Sequence, residues 1–278
     1  MEKPSIPLLI PSDTPVPQAS TLSHRGRIRN NNEDRLRLTH FSTRGDNRVV
    51  LLAVLADGVG GHRGGEIAAE VCVQTITDHI SACRSLDDPP QLLRSAFLSA
   101  NHSVLAQAAS DSALQGMATT CVCALMVENQ LFLANLGDSR AYLCRPNNLI
   151  QLTHDHTLIE DTPWLNLSGI NAARHNNPFA HVLSRYLGGS QPPEVDLRVR
   201  LPVGEGAPDL HNNQGYRLQS GEKILLCSDG LTNMLGDDDI HGILTDFSLR
   251  KAVQRLVLCA LQNGGFDNVS VVLIESPE

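Results

Sequence analysis

The sequence predicts an α+β fold in which sheets and helices form a layered sandwich. Short continuous runs of Val, Ile and Leu recur along the chain, bounded by Gly and Asp, which is typical of buried strands. Apolar residues at helical spacing occur in paired segments and do not follow every strand. This arrangement favours an α+β sandwich over a regular βαβ alternation.

The composition is that of a globular protein of 278 residues, long enough for one large domain or two small ones. The formal net charge of -8 argues against binding nucleic acid through a basic surface. No apolar stretch approaches the ~20 residues of a membrane span. The N-terminus lacks the basic and apolar segments of a secretory signal. We therefore expect neither a nucleic-acid nor a membrane partner.

The chain contains seven cysteines, and none of them forms a C-x-x-C pair. Most lie within apolar runs, where a reduced thiol behaves as a small hydrophobic side chain. This pattern favours structural, reduced cysteines over a zinc site or a disulfide framework. We therefore expect a reducing, cytoplasmic location.

The N-terminal segment, residues 1–20, contains five prolines and few charges. Because proline disfavours both helices and paired strands, this segment is predicted to be an extended or disordered leader. The ordered domain is predicted over residues 21–278, beginning near Thr21.

Two helices are predicted between Arg63 and Ser110, the second of them after the start signal Pro89-Pro90. A tight turn at Glu128-Asn129 joins two of the strands that follow. The predicted strands after the helices cover residues 120–127, 130–135, 140–144 and 223–227, with a last strand ending at Ile274. Two more helices are predicted near residues 237–244 and 248–263. Residues 154–190 are predicted to be mostly irregular, and residues 202–216 are predicted to form a surface loop.

Acidic residues stand where apolar runs begin or end. Asp57 follows the run Val49–Ala56, Asp138 and Asp229 follow two further runs, and Asp267 precedes the last one. If these strands share a core, the four carboxylates lie at strand ends, where a hard divalent cation can be bound. Asp-Gly after a strand is also a common turn, so each residue alone fits a structural role. The combination favours a catalytic metal site.

Seven motifs occur in order along the chain: Arg29–Asp34, Ala56–His62, Met117–Thr120, Asn135–Tyr142, Thr153–His156, Cys227–Leu231 and Gly265–Ser270. Together they resemble the metal-dependent serine/threonine protein phosphatases of the 2C type, in their bacterial form. The resemblance covers roughly residues 21–275, and ordered motifs over that length are more specific than a lone Gly-rich loop. It implies a four-layer α-β-β-α sandwich with two mainly antiparallel sheets.

The resemblance also implies two core Mn²⁺ or Mg²⁺ ions and a weaker third ion. Asp57 would bridge the two core ions, and Asp138 would help Asp229 to hold the third. The implied metal ligands are Glu33, Asp57, the carbonyl of Gly58, Asp138, Asp229 and Asp267. Oxygen ligands of this kind favour Mg²⁺ or Mn²⁺ over zinc.

Two further residues match functional positions of the family. Arg29 matches the family's arginine that binds the substrate phosphate, and the planar fork of this side chain suits two phosphoryl oxygens. His62 matches the residue proposed as general acid for the leaving alkoxide. No covalent phosphoenzyme is expected, since Ser139 and Ser228 have no obvious base partner.

The function implied is hydrolysis of phosphoserine and phosphothreonine on proteins by a metal-activated water. The enzyme would be a monomer that opposes a Ser/Thr kinase. Two alternatives stay open: a non-catalytic pseudophosphatase that binds a signalling partner, and a phosphatase for small metabolites. Residues 157–190 correspond to the family's mobile flap. The only tryptophan, Trp164, lies there and either packs in a satellite core or positions a protein substrate.

Overall fold

The computed structural model describes residues 17–43, 48–59, 64–83, 85–162, 181–202 and 214–276. Its strands are β1 (Gln18–His24), β2 (Arg35–Ser42), β3 (Val49–Ala56), β4 (Cys121–Val127), β5 (Gln130–Leu136), β6 (Arg140–Arg145), β7 (Asn148–Gln151), β8 (Tyr216–Arg217), β9 (Lys223–Cys227) and β10 (Val269–Glu275). Its helices are α1 (Gly65–Ser81), α2 (Pro89–Ser110), α3 (Leu158–Asp161), α4 (Asp229–Thr232), α5 (Asp237–Asp246) and α6 (Leu249–Gln262), with a 3₁₀ turn at Ser112–Leu114.

The strands form two five-stranded antiparallel sheets. The first sheet has the order β1-β10-β9-β6-β7, and the second has the order β2-β3-β4-β5-β8. Helices α1 and α2 cover the second sheet, and α5 and α6 cover the first. The predicted four-layer α-β-β-α sandwich is therefore confirmed.

Strand β3 shows why the apolar runs are continuous. All eight of its residues are buried. Val50, Leu52 and Val54 face α1 and α2, whereas Leu51 and Leu55 face the other sheet. Because successive side chains point to opposite faces of a sheet, a strand covered on both faces needs apolar residues at every position.

The local signals at element ends are also confirmed. Helix α2 begins at Pro89, and the side chain of Asp88 before it accepts a hydrogen bond from the backbone N–H of Gln91 at 3.0 Å. The β4–β5 turn lies at Glu128-Asn129, where Glu128 adopts a positive φ of 55°. Such a conformation is usual in two-residue hairpin turns.

Four strands lie outside the predicted set: β1, β2, β7 and β8. Strand β1 begins at Gln18, which pairs with Glu275, three residues before the predicted Thr21. Residues 1–16 of the predicted leader lie outside the described residues. Strand β8 includes Tyr216, the last residue of the predicted surface loop, and residues 203–213 of that loop also lie outside the described part.

None of the helices in the described part of the chain combines the length and the apolar character needed to cross a bilayer.

Candidate active site

The predicted carboxylates meet in one cleft at the edge of the two sheets. Asp57 follows β3 and Asp229 follows β9, while Asp267 precedes β10. Since β9 and β10 are antiparallel neighbours, the end of one and the start of the other lie at the same edge. Asp138 lies in the connection by which the chain passes from β5 in one sheet to β6 in the other. The cleft has a volume of ≈ 570 Å³, and Arg29, Glu33, Gly58 and the four aspartates line it.

The backbone of Asp57 is fixed by the Met117–Thr120 motif. The Asp57 carbonyl accepts hydrogen bonds from the backbone N–H of Thr120 and the hydroxyl of Thr119, both at 2.8 Å. The Asp57 N–H donates to the Thr120 hydroxyl at 3.2 Å. These three hydrogen bonds fix the backbone of Asp57 at the end of a buried strand. The fixed backbone in turn limits the positions open to the Asp57 carboxylate.

A single amide side chain, that of Asn268, ties the Arg29–Asp34 motif to the start of β10. Its Oδ1 accepts a hydrogen bond from the Glu33 N–H at 2.7 Å. Its Nδ2 donates to the carbonyls of Arg25 and Asn31, each at 2.9 Å. Glu33 is thereby held beside Asp267, and the Glu33 carbonyl accepts from the Gly58 N–H at 3.3 Å.

The guanidinium of Arg29 pairs with Asp267 at the entrance of the cleft. The Arg29 Nη2 to Asp267 Oδ2 distance is 2.7 Å, and both side chains are partly exposed. The hydrogen bond to Asp267 and the nearby negative charges raise the pKa of Arg29 further. Because guanidinium has five N–H donors, Arg29 can bind Asp267 and still present donors to an anion in the cleft.

The Thr153–His156 motif supports the loop that carries Asp138. The His156 Nδ1 accepts a hydrogen bond from the Gly137 N–H at 3.1 Å, and the His156 N–H donates to the Gly137 carbonyl at 3.0 Å. The preceding residue of the motif, Asp155, forms an ion pair with Arg140 at 2.7 Å. Both ends of the short connection around Asp138 are thus fixed.

A family model described as "Protein phosphatase 2C" matches residues 23–264. The chain belongs to this family. The "Serine/threonine phosphatase stp" of Listeria welshimeri is 35% identical over 256 residues, which cover 90% of this chain and 92% of that protein. A solved structure of the S. agalactiae serine/threonine phosphatase is similar, with a TM-score of 0.79 and 28% identity, covering 94% of this chain and 99% of that one.

A further solved structure is that of the catalytic domain of the serine threonine protein phosphatase PstP in complex with 2 manganese ions. This chain resembles it with a TM-score of 0.73 and 29% identity, over 95% of this chain and 100% of that chain. The full-length PstP of Mycobacterium tuberculosis is longer: the 32% identical match spans 91% of this chain but 44% of PstP.

The electrostatics of the cleft fit the binding of divalent cations. Burial, followed by the charges of the neighbouring aspartates, raises the pKa of Asp57 well above its usual range. The same two causes raise the pKa of Asp138 to about 8 and increase the pKa of Asp229. The buried Oδ1 of Asp229 has no hydrogen-bond partner in the described residues. Carboxylate oxygens that repel one another, one of them without a hydrogen-bond partner, are the ligands that hard divalent cations bind.

Two ionisable residues, one in the cleft and one below it, lie outside the predicted set of site residues. His181 comes from the irregular segment and lies with Asp138 and Asp229, so that one ligand atom of each falls within 4.8 Å of the others. Asp34 is buried beneath the cleft, where the Ser228 hydroxyl donates to its Oδ2 at 2.8 Å. Burial raises the pKa of Asp34 to about 7. Asp34 is therefore a buried acid and not a solvated surface residue.

Two predicted features cannot be placed. His62, the predicted general acid, lies outside the described residues, and so does Trp164 of the flap. Within the predicted flap segment, a bridge joins Thr157 and Leu183, and Leu183 lines the cleft.

Gly230 offers a test of how tightly the ends of β9 and β10 must approach. Gly230 follows Asp229 in the chain, and a Cβ added to it would lie 1.9 Å from the carbonyl oxygen of Asn268 and 3.3 Å from the Cβ of Asp267. We expect Gly230→Ala to push these two carboxylates apart and to weaken Mn²⁺ binding by at least about tenfold, with a loss of stability of about 1–3 kcal/mol. Calorimetric titration with Mn²⁺ measures the first effect and thermal unfolding the second.

Gly236→Ala is the matched control, because a Cβ at Gly236 would have no atom within 4 Å. Wild-type Mn²⁺ affinity in Gly230→Ala would contradict the close approach.

Proposed function

We propose that this chain is a metal-dependent phosphatase that removes phosphate from phosphoserine and phosphothreonine residues of proteins. The observation that supports this most strongly is the convergence of Glu33, Asp57, Asp138, Asp229 and Asp267 with Arg29 in one cleft. The relatives named as serine/threonine phosphatases support the same function. The substrates would be phosphoproteins, and a Ser/Thr kinase would generate them.

The core cation ligands in this proposal are the carboxylates of Glu33, Asp57, Asp229 and Asp267 with the carbonyl of Gly58. When bound, two divalent cations supply an activated water and neutralise charge on the phosphoryl oxygens. The protein's part is to hold these oxygens in a fixed arrangement, through the Thr119 and Thr120 bonds to Asp57 and the Asn268 bond to Glu33.

Arg29 is proposed to bind the substrate phosphate. Its ion pair with Asp267 places the guanidinium at the cleft entrance, where its remaining N–H donors can bind two phosphoryl oxygens. Arg29 therefore orients the phosphate relative to the carboxylates. His62 stays the predicted proton donor for the leaving alkoxide.

The two alternatives differ from this proposal in what they require of the site. A pseudophosphatase that only binds a partner has no need for all five acidic ligands and Arg29, and this chain has all of them in one cleft. A phosphatase for small metabolites would share the core, so the choice of substrate separates it from a protein phosphatase. We propose a cytoplasmic location because all seven cysteines are free thiols.

Asp57→Asn tests the hydrolytic core. Removing the charge proposed to bridge the two cations should lower Mn²⁺-dependent hydrolysis of a phosphothreonine peptide and of an aryl phosphate by at least ~10³-fold. Asp246→Asn, an exposed aspartate at the end of α5, is the control and should keep wild-type activity. Near-wild-type turnover by Asp57→Asn would refute the assignment. Wild-type turnover of the aryl phosphate without any phosphopeptide turnover would refute protein phosphatase activity instead.

We also propose a weaker third cation site formed by Asp138, Asp229 and His181. The supporting geometry is the mutual approach of their ligand atoms within 4.8 Å. Both Mg²⁺ and Mn²⁺ favour oxygen ligands, but Mn²⁺, a transition metal, accepts an imidazole nitrogen more readily than Mg²⁺ does. The histidine therefore distinguishes the two metals at this third site.

His181→Ala should weaken the weakest Mn²⁺ site by about tenfold or more and leave Mg²⁺ binding nearly unchanged, because only Mn²⁺ gains from the nitrogen ligand. Titration calorimetry and the electron paramagnetic resonance signal of free Mn²⁺ measure both affinities. Asp138→Ala should weaken both metals at this site, and His102→Ala, on the exposed side of α2, is the histidine control. Equal effects of His181→Ala on Mn²⁺ and Mg²⁺ would contradict nitrogen ligation.

A further inference from the structure

Three arginines at alternate positions, Arg25, Arg27 and Arg29, are exposed, and Arg29 lines the cleft. We call them the arginine strip. They stand out because the chain has 30 acidic and only 22 basic residues, with a net charge of -8. Arg29 pairs with Asp267, but Arg25 and Arg27 have no ion-pair partner in the described residues. Two positive charges without an ion-pair partner in the described residues therefore lie in the segment that leads to Arg29, the residue proposed to bind the substrate phosphate.

The strip is fixed in place against the segment that carries Asp267. The Arg27 N–H donates to the Gly265 carbonyl at 2.7 Å, and the Arg25 carbonyl accepts from Asn268 at 2.9 Å. Gly26 lies so close that a Cβ there would be 2.1 Å from the Asp267 carbonyl oxygen. The backbone of the strip is thus part of the same rigid edge as the cleft.

Exposed apolar side chains accompany the arginine strip. Ile28 is 64% exposed and Phe266 is 61% exposed, the two most exposed large apolar side chains in the described part of the protein. Each adjoins a cleft residue in the chain, Ile28 beside Arg29 and Phe266 beside Asp267. Exposed apolar side chains so close in the chain to cleft residues are available to contact a ligand larger than phosphate.

A second hollow extends from the cleft below Phe266. Its volume is ≈ 430 Å³, and Met234 and Phe266 line it together with residues that also line the cleft. These shared residues are His181, Asn233 and Asp267. The cleft therefore continues into a partly apolar surface on which the residues flanking a phosphorylated side chain can lie.

We propose that the arginine strip selects phosphopeptides with acidic residues next to the phosphorylated residue, while Ile28 and Phe266 contact apolar parts of the same peptide. This inference rests on the proposed phosphatase function. A peptide whose phosphate binds at Arg29 brings its neighbouring side chains close to Arg27 and Arg25, two and four residues away in the chain. Carboxylates at those positions gain attraction and faster association, and lysines at the same positions are repelled.

The test uses three phosphothreonine peptides of equal length, flanked by Glu, Ser or Lys, with an aryl phosphate as a substrate lacking flanking residues. In the wild type, kcat/KM should decrease in the order Glu, Ser, Lys, and the preference should shrink as salt is added. In the double variant Arg25→Glu, Arg27→Glu, kcat/KM for the Glu peptide should fall by about tenfold or more. A single exposed ion pair contributes little, but this variant turns two attractions between arginine and peptide carboxylate into repulsions. Aryl phosphate hydrolysis should change by less than about twofold.

The matched control is Arg250→Glu with Lys251→Glu, which makes the same change in net charge at exposed positions in the first turn of α6. These positions lie at the start of the helix Leu249–Gln262, whereas Gly265 follows its other end. This control should leave the order of the three peptides unchanged. Phe266→Ala should raise KM for all three peptides equally, because its contact is apolar.

The outcomes separate the two proposals. Equal wild-type kcat/KM on the three peptides, or equal losses on the peptides and the aryl phosphate in the arginine variant, would overturn the role of the strip and leave the phosphatase function standing. Hydrolysis of the aryl phosphate with no hydrolysis of any peptide would overturn the protein phosphatase function, and the strip's role with it.

Discussion

Repulsion between carboxylates at one edge of the two sheets is the constraint on which the rest of the structure depends. Five acidic side chains line a single cleft, and Asp34 lies buried beneath them. Burial and mutual charge raise the pKa of most of these groups, so their approach costs free energy without bound cations. A fold that holds them together must supply that free energy from elsewhere, and here it comes from the three apolar layers between sheets and helices.

The rigidity of the cleft follows from where its residues sit. Asp57, Asp229 and Asp267 stand at the ends of strands that are buried on both faces. Thr119 and Thr120 hydrogen-bond to the backbone of Asp57, and the Asn268 side chain hydrogen-bonds to the backbone of Glu33. Cation sites require oxygens at fixed separations, and strand ends provide them better than long loops do. The substrate side of the cleft is different: the side chains of the arginine strip and of Phe266 are exposed, although hydrogen bonds fix the backbone of the strip.

The sandwich and the metal carboxylates could be predicted because one physical cause produces both signals. A strand covered on two faces requires a continuous apolar run, and a metal ligand at its end interrupts that run with an aspartate, as at Asp57 and Asp229. Strand β2 was not predicted because all its residues are only partly buried and its sequence mixes polar and apolar side chains. His181 could not be predicted because it reaches the cleft through tertiary folding of an irregular segment. Asp34 differs from a surface acid only in its burial, which sequence does not show.

The most direct test of the carboxylate constraint is the melting temperature of the protein as a function of pH, with EDTA and with saturating Mn²⁺. A carboxyl group whose pKa is about 8 or about 7 when folded, as for Asp138 and Asp34, but about 3.9 when unfolded binds more protons in the folded state between these values. Stability of the metal-free protein should therefore fall as pH rises from about 5 to about 8.5. Mn²⁺ should restore it, with a larger increase at the higher pH. A melting temperature that stays constant or rises over this range without metal, or an equal Mn²⁺ effect at both ends, would contradict the account.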